Sequence, residues 1–369
     1  MKRTITSFIL LMSLGTGSLI SAQPFDEEKD LQEIYQQIDD AIDNSAEYVA
    51  VRLRQITETQ GKLLTESKLE KRFELAEQLF ELYKPYKNDS TLYYADMCIA
   101  LADSLGRKDM VGLYLSEKAL QCSYTGMYVE ALELLKKVDR QALGREELTK
   151  YYRAWMHVCG EIGSYDEQPE VRQKYYNLQD SYRDSVLAVA ADGSEEFLHL
   201  RMDVLSARRQ YQDALSFSNR WIGSVADGTH EKAYAAFYCA MVYEKLGNGR
   251  MLRYWLGKSA LDDIKCAVFN QASLFMLAER LCDDGDYERA ERYIRFSVAC
   301  NTAFSPQLRN YQVRYLAHVM EALYKNSQTR YSKLLTIAGV GTIILLGIIV
   351  CIAWLYLRQR RITRSRNKK

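Results

Sequence analysis

The chain has 369 residues and nearly equal numbers of basic and acidic side chains, 49 and 48, so its formal net charge is only +1. Two basic residues lie near the N-terminus and seven in the last twelve residues, and neither segment contains an acid. The part between them therefore carries 40 basic and 48 acidic residues, a net charge of −8. A mildly acidic body argues against nucleic acid as its ligand.

The first 22 residues have the layout of a secretory signal peptide. Lys2 and Arg3 precede an apolar run at residues 8–14, and Ser21 and Ala22 provide small residues at a cleavage point. We therefore predict that residues 1–22 are removed on export. The alternative is an uncleaved anchor helix, which the shortness of the apolar run disfavours.

Helical spacing of apolar residues begins soon after the predicted cleavage point. Residues 31–42, 48–57 and 69–83 each place their apolar side chains on one face of a helix. A solenoid of repeats needs terminal helices that close its core. We predict that residues 23–90 form N-terminal capping helices ahead of the repeats.

The clearest internal repeat surrounds a Gly-Asp-Tyr turn. Leu277 and Ala278 precede this turn at the position of a close helix–helix contact, and Gly285 and Tyr287 belong to the turn itself. Ala290 follows, where a small residue lets the second helix pack tightly. The pattern resembles a tetratricopeptide repeat, a helical hairpin that buries one face internally and another against its neighbours.

Similar turn-and-alanine units recur along the chain. Their marker residues are Gly126, Tyr128, Ala131, Tyr211, Ala214, Tyr243 and Gly247. The chain has only four prolines and no alternating strand pattern, which favours an all-α protein. We therefore predict a tetratricopeptide-like α-solenoid of helical hairpins over residues 91–323. An irregular helical bundle with chance turns is the alternative.

The eight cysteines do not form a disulfide framework in the sequence. Seven of them precede the last apolar segment, an odd number, and their spacing resembles no secreted disulfide scaffold. Most lie in apolar helical surroundings, where a free thiol acts as a small buried hydrophobe. We favour unpaired, buried cysteines.

One segment near the C-terminus is long and apolar enough to cross a membrane. Residues 334–357 contain no charged side chain, and a helix of that length spans a hydrocarbon core of about 30 Å. A last repeat helix at about 307–323 and a juxtamembrane segment at 324–333 precede it. We predict a single transmembrane helix at 334–357.

The last twelve residues, 358–369, form a basic tail. Its cations are Arg358, Arg360, Arg361, Arg364, Arg366, Lys368 and Lys369. The positive-inside rule places this tail in the cytoplasm, where it also touches anionic headgroups. Together with the signal peptide, this predicts a single-pass inner-membrane protein whose solenoid is periplasmic. Binding of nucleic acid by the tail is the disfavoured alternative.

The sequence contains no recognisable catalytic or cofactor site. None of the four histidines has a partner at metal-ligand spacing, and there is no phosphate loop, dinucleotide fingerprint or nucleophile elbow. We therefore expect no catalytic residue, no metal, no cofactor and no enzymatic activity.

A family resemblance rests on the order of several blocks: residues 31–42 followed by Tyr48, then 73–106, 126–135 and 182–185. This order resembles an uncharacterised, regulator-like Gram-negative family of membrane-anchored tetratricopeptide proteins. In that family a cytoplasmic coiled coil and a helix-turn-helix-like output typically follow the membrane helix. The resemblance implies sensing outside and transcriptional regulation inside. The present sequence stops at Lys369, so we do not expect either output module in it.

Two functions follow from these observations. The first is an interaction protein whose concave face binds a protein, peptide or glycan outside the inner membrane as scaffold or sensor. The sequence leaves open whether the protein forms a homo-oligomer. Association of helices in the membrane would use small residues four positions apart: Ala338 with Thr342, and Gly347 with Cys351. The second is the sensor portion of a membrane-bound transcription regulator whose output domain is missing or encoded separately.

Overall fold

The computed structural model of the protein describes residues 27–305 and 310–366, and every regular element in these ranges is helical. Fifteen α-helices and one short 3-10 helix, Arg140–Ala142, occur there. The α-helices are α1 (Glu27–Asp43), α2 (Ser45–Thr65), α3 (Leu69–Tyr83), α4 (Asn88–Ser104), α5 (Lys108–Tyr124), α6 (Tyr128–Lys136), α7 (Arg145–Tyr165), α8 (Pro169–Val189), α9 (Glu195–Ala207), α10 (Tyr211–Ser224), α11 (His230–Leu246), α12 (Gly249–Lys265), α13 (Ser273–Asp283), α14 (Tyr287–Phe304) and α15 (Asn310–Arg366). The predicted signal peptide lies outside the described residues.

Short turns connect many of these helices into hairpins. Gly247 and Gly285 have φ values of 73° and 85°, a left-handed conformation that residues with a Cβ rarely adopt. The next helix begins at once, because the side chains of Asn248 and Asp286 each accept a backbone N–H three residues further on. Each turn thus ends one helix and caps the following one.

The buried side chains form a series of clusters along the chain. One cluster joins α2, α3, α4 and α5, a second α5, α6 and α7, a third α9, α10 and α11, and a fourth α11 to α15. Each hairpin therefore packs mainly against its neighbours, as in repeat proteins. This confirms the predicted fold class, an all-α solenoid of tetratricopeptide-like hairpins followed by one long apolar helix.

Helix α1 packs against the last helices of the solenoid. Ile34 and Ile38 of α1 belong to the cluster of α12 to α15, and a Cβ at Gly257 of α12 would clash with Cγ2 of Ile34. Arg289 of α14 pairs with Asp39 at 3.1 Å. The structure therefore differs from the expectation that α1 caps the start of the repeats, because its apolar face is covered by the last ones.

Contacts between distant segments bring the two ends of the solenoid together. Arg52 of α2 donates to the carbonyl of Leu82 at 2.7 Å and to that of Cys266 at 2.6 Å. The backbone N–H of Phe269 donates to the carbonyl of Pro85 at 2.8 Å. The loop after α3 thus touches the loop after α12, and the solenoid closes on itself.

The last helix is continuous from the solenoid to the basic tail. Tyr315 and Val319 of α15 are buried against α13 and α14, whereas residues 334–357 of the same helix are exposed along their whole length. The ten residues predicted as a juxtamembrane segment, 324–333, are part of it. Within the described residues one segment, Gln312–Arg361, is long and apolar enough to span a membrane.

Candidate functional site

Polar and aromatic side chains lie at helical spacing on four helices that are the first members of successive hairpins. These residues are Glu117, Gln121 and Tyr124 of α5, Lys150, Arg153 and His157 of α7, Glu195, Glu196 and His199 of α9, and His230, Tyr234 and Tyr238 of α11. The spacing of three or four residues places each set on one face of its helix. Four such faces therefore lie next to one another along the solenoid.

Ion pairs connect these faces. Lys84, which follows α3, contacts Glu117 of α5 with 2.9 Å between Nζ and Oε2. Lys150 and Arg153 of α7 both pair with Glu196 of α9, and the distance from Arg153 is 3.1 Å. Glu195 lies 3.8 Å from Arg153. These ion pairs connect different hairpins and do not join the two helices of one hairpin.

A histidine–aspartate pair extends the same arrangement. His230 Nδ1, at the start of α11, lies 2.9 Å from Oδ1 of Asp263 in α12. Glu195 and Arg52 are close enough to act electrostatically on His230. We call this set the central charge network: Arg52, Lys84, Glu117, Lys150, Arg153, Glu195, Glu196, His230 and Asp263.

Two buried carboxylates of the network, Glu196 and Glu117, are kept ionised by the cations beside them. Burial alone would raise the pKa of Glu196, but the positive charges of Lys150 and Arg153 outweigh it and lower this pKa to about 2. Burial likewise opposes ionisation of Glu117, yet Lys84 and the two cations of α7 lower its pKa. Opposite charges thus compensate one another where water is scarce.

The histidine in the second turn of α9, His199, is held neutral. Burial and the nearby charge of Arg153 lower the pKa of His199 to about 4. Its ring lies 4.8 Å from that of Tyr238, which in turn contacts Tyr234 at 4.9 Å. Burial raises the pKa of Tyr234 to about 12, so these hydroxyl groups stay protonated and can donate.

Solvent reaches several members of the central charge network. The side chains of Lys84, Lys150 and Glu195 are 28%, 26% and 31% exposed, and that of His230 is 48% exposed. Tyr124, Tyr234 and Tyr238 are partly exposed as well. The site therefore offers hydrogen-bond donors and acceptors of both signs beside aromatic rings, which suits a polar ligand with mixed chemistry.

Nothing in this arrangement resembles a metal centre. No group of three or more His, Cys, Asp or Glu side chains suited to a metal ion occurs among residues 27–305 and 310–366. All eight cysteines lie in these ranges, unpaired, and six of them are buried.

The sequence-predicted repeat residues lie in the hairpins rather than in this network. Gly126, Gly247 and Gly285 occupy turns with positive φ. Leu277, Ala278, Ala131, Ala214 and Ala290 are fully buried, and Tyr128, Tyr211 and Tyr287 each begin the second helix of a hairpin. Tyr243 packs against the cluster around α12. These positions build the scaffold, and none belongs to the central charge network.

The basic tail is described in part. Helix α15 continues through Arg358, Arg360, Arg361, Arg364 and Arg366, and Lys368 and Lys369 lie outside the described residues.

The helical spacing of Lys150 with Arg153, and of Glu196 with His199, is visible in the sequence. It does not show which helix faces which, so the network was missed.

Comparison with known families agrees with this architecture. The sequence model of the family described as the SusR N-terminal TPR domain matches residues 42–315. The chain belongs to this family. The match covers α2 to α14 and the start of α15, and it confirms the resemblance to a regulator-like tetratricopeptide family. No curated protein matches the chain.

Membership of the SusR N-terminal TPR domain family fixes the general kind of function. Tetratricopeptide domains are repeat scaffolds that mediate protein interactions. The central charge network and its partly exposed tyrosines are the part of this scaffold with the most varied accessible chemistry.

The His230–Asp263 pair gives a testable pH dependence. Burial alone would lower the pKa of His230, but the hydrogen bond and negative charge of Asp263 raise it, and burial raises the pKa of Asp263. The stabilisation from His230 is therefore complete below its unfolded pKa of about 6.5 and is lost as the pH rises through its folded pKa. We expect Asp263→Asn to lower the pKa of His230.

Histidine NMR titration of the full chain in detergent measures this pKa. His318 serves as the reference, since it pairs with Asp283 at 3.3 Å instead. An unchanged titration of His230 in the Asp263→Asn protein would contradict the pairing.

Proposed function

We propose that this protein is a membrane-anchored tetratricopeptide scaffold that binds a protein or peptide partner outside the inner membrane. The observation that carries the proposal is the accessible central charge network on the first helices of successive hairpins. Solenoids bind their partners along such extended surfaces, and buried ion pairs beside tyrosines give specificity through charge and shape. Family membership supports an interaction role.

The membrane anchor is the second part of the proposal. Residues 334–357 of α15 are apolar and uncovered by the solenoid, and the tail that follows is basic. With the predicted signal peptide, this favours a periplasmic solenoid and a cytoplasmic tail. A reporter active only in the periplasm, fused after Asp43, is expected to be active, and the same reporter fused after Lys369 inactive. The opposite pattern would refute this orientation.

Partner binding can be tested by photo-crosslinking in cells. A photoreactive amino acid at Tyr234 is expected to capture one envelope protein, because this position is partly exposed beside Arg153 and Glu195. Glu195→Lys should abolish the adduct. It reverses a partly exposed charge within the network and leaves the cores of the hairpins intact. Mass spectrometry of the adduct identifies the partner.

The matched control is the same photoreactive residue at Tyr93, which is 60% exposed on α4 and outside the central charge network. Equal capture from Tyr93, or capture from Tyr234 that survives Glu195→Lys, would argue against binding at the network. A glycan ligand would give no protein adduct and would instead protect Tyr234 from chemical modification.

A sensor role is the second candidate, and the continuity of α15 favours it. Tyr315 and Val319 fix this helix to α13 and α14, and the same helix continues through residues 334–357 without a break. A change in the packing of the last hairpin would therefore move the membrane helix as a rigid body. A sensor requires that ligand binding change crosslinking within the tail, whereas a passive scaffold does not.

A further inference from the structure

The part of α15 outside the predicted membrane segment has two distinct faces. One face packs on the last hairpins through Gln312, Tyr315, Leu316, Val319 and Leu323. Val319 is fully buried there. This face attaches α15 to the solenoid, and its apolar residues are covered there.

The other face is apolar and uncovered. Val313, Met320, Tyr324 and Tyr331 are 48%, 53%, 63% and 70% exposed. Ala317 and Ser327 are exposed between them. The six positions follow one another at intervals of four and three residues, the heptad spacing of a coiled-coil contact. We call these six residues the α15 stripe.

The α15 stripe continues without a change of phase into the predicted membrane segment. The same alternation of three and four leads to Leu334, Ala338, Gly341, Leu345 and Ile348. Apart from the nearby backbone of its own helix and its chain neighbours, no atom lies within 4 Å of the place where a Cβ of Gly341 would be. Small residues at such positions let two helices approach closely inside a bilayer.

Lipid contact does not explain the whole stripe. Tyr331 lies close enough to the predicted span to sit among headgroups. Tyr324 is ten residues before Leu334, about 15 Å along the helix axis, and Met320 is about 21 Å away. The headgroup region of one leaflet is only about 5–8 Å thick. These two side chains therefore project from water-exposed helix beyond the bilayer.

A second copy of the chain matches this surface better than an unrelated protein. All copies insert with the same orientation, so each presents its α15 stripe at the same height above the same membrane. Two parallel helices then meet in register along the whole stripe, and the contact is self-complementary as a two-fold interface requires. The stripe lies away from the solenoid-bound face, so the two solenoids flank the pair.

We propose that α15 pairs with α15 of a second copy in a parallel left-handed coiled coil, from Val313 into the membrane. The proposal rests on the membrane anchoring described under Proposed function. Ser327, the one polar member of the stripe, would help to fix the register. Pairing buries the exposed side chains of Met320 and Tyr324 and brings the two basic tails together.

Cysteine crosslinking of the full chain in native membranes tests the proposal. In a Cys351→Ala background, Met320→Cys and Tyr324→Cys are each expected to give a disulfide-linked dimer on mild oxidation. Lys325→Cys is the matched control, because this exposed residue lies beside Tyr324 but on another face. The background protein without an added cysteine gives the baseline. Equal crosslinking at Tyr324 and Lys325 would overturn the proposal.

A charge variant provides the second measurement. Met320→Glu combined with Tyr324→Glu is expected to convert the detergent-solubilised dimer into a monomer in native mass spectrometry, because four carboxylates would face one another. Lys325→Glu combined with Thr329→Glu places the same charge on another face and should leave the dimer intact. A monomeric parent protein, or a dimer that survives the stripe variant, would refute the pairing.

These outcomes are separable from the proposed function. If photo-crosslinking from Tyr234 persists in the monomeric stripe variant, partner binding does not require pairing of α15. The proposed function would then stand even if the proposed pairing were refuted. Glu195→Lys should abolish partner capture and leave the dimer unchanged, because Glu195 lies on α9 and not on α15.

Discussion

Replacement of Ile38 by alanine is expected to lower the free energy of unfolding by about 2–5 kcal/mol. Ile38 is fully buried in the contact of α1 with α12. The two helices approach closely at Gly257 of α12, where there is no room for a side chain. Removing three carbons at this place leaves a cavity that rigid helices on both sides cannot fill. Urea denaturation of the full chain in detergent, followed by tryptophan fluorescence, measures the loss.

Leu64→Ala on α2 is the matched control for this substitution. Leu64 is 85% exposed, and a surface truncation of this kind should change the free energy of unfolding by no more than about 0.5 kcal/mol. Hydrogen exchange separates two forms of damage in the Ile38→Ala protein: release of α1 alone, or loosening of the last hairpins together. Equal stability of the two variants would mean that α1 does not dock on α12.

Replacement of Glu196 by glutamine is expected to cost about 3 kcal/mol at pH 7. The pKa of Glu196 falls from an unfolded value of about 4.3 to about 2 in the folded protein, and each unit corresponds to about 1.4 kcal/mol. The side chain is only 8% exposed, so solvent screens the interaction weakly. The variant leaves Lys150 and Arg153 beside a neutral amide.

The depressed pKa of Glu196 also predicts how the cost of Glu196→Gln changes with pH. Because the folded pKa is depressed, the stabilisation is complete above about pH 4.3 and is lost as the pH falls toward 2. The difference between the parent and Glu196→Gln proteins should therefore shrink in acid. Glu291→Gln, which removes an exposed partner of Arg295 on α14, should cost about 0.5 kcal/mol or less at every pH. A difference that persists unchanged at low pH would contradict the charge pairing.

The hairpin turns and the close helix contacts could be predicted from the sequence, because each depends only on residues near one another in the chain. The turn glycines at 126, 247 and 285 and the small residues Ala131, Ala214 and Ala290 lie within single hairpins. Their spacing alone indicates where a helix ends and where its partner packs closely. The apolar segment within α15 is likewise a property of one helix.

The central charge network could not be predicted in the same way. The helical spacing of Lys150 and Arg153 shows that they share a face, but Glu196 lies more than forty residues further along the chain. Which face meets which depends on the rotation between successive hairpins. That rotation is set by the summed packing of many side chains and has no short sequence signature.

The position of α1 shows the same limit. Its apolar face was recognised in the sequence and assigned to the start of the solenoid, where a cap is usually needed. In the structure the solenoid closes on itself through Arg52 and Pro85, so the surface nearest to α1 belongs to the last repeats.

The sequence by itself determined the helical hairpins, the repeat class and one helix suited to a membrane, because helical periodicity and chain composition are local properties. Only the tertiary structure decided three further features: the docking of α1 on α12, the convergence of the central charge network, and the uncovered stripe on an unbroken α15. Each of these depends on which apolar or charged face another segment covers. That is settled by the curvature of the whole solenoid, which brings residues hundreds of positions apart into contact.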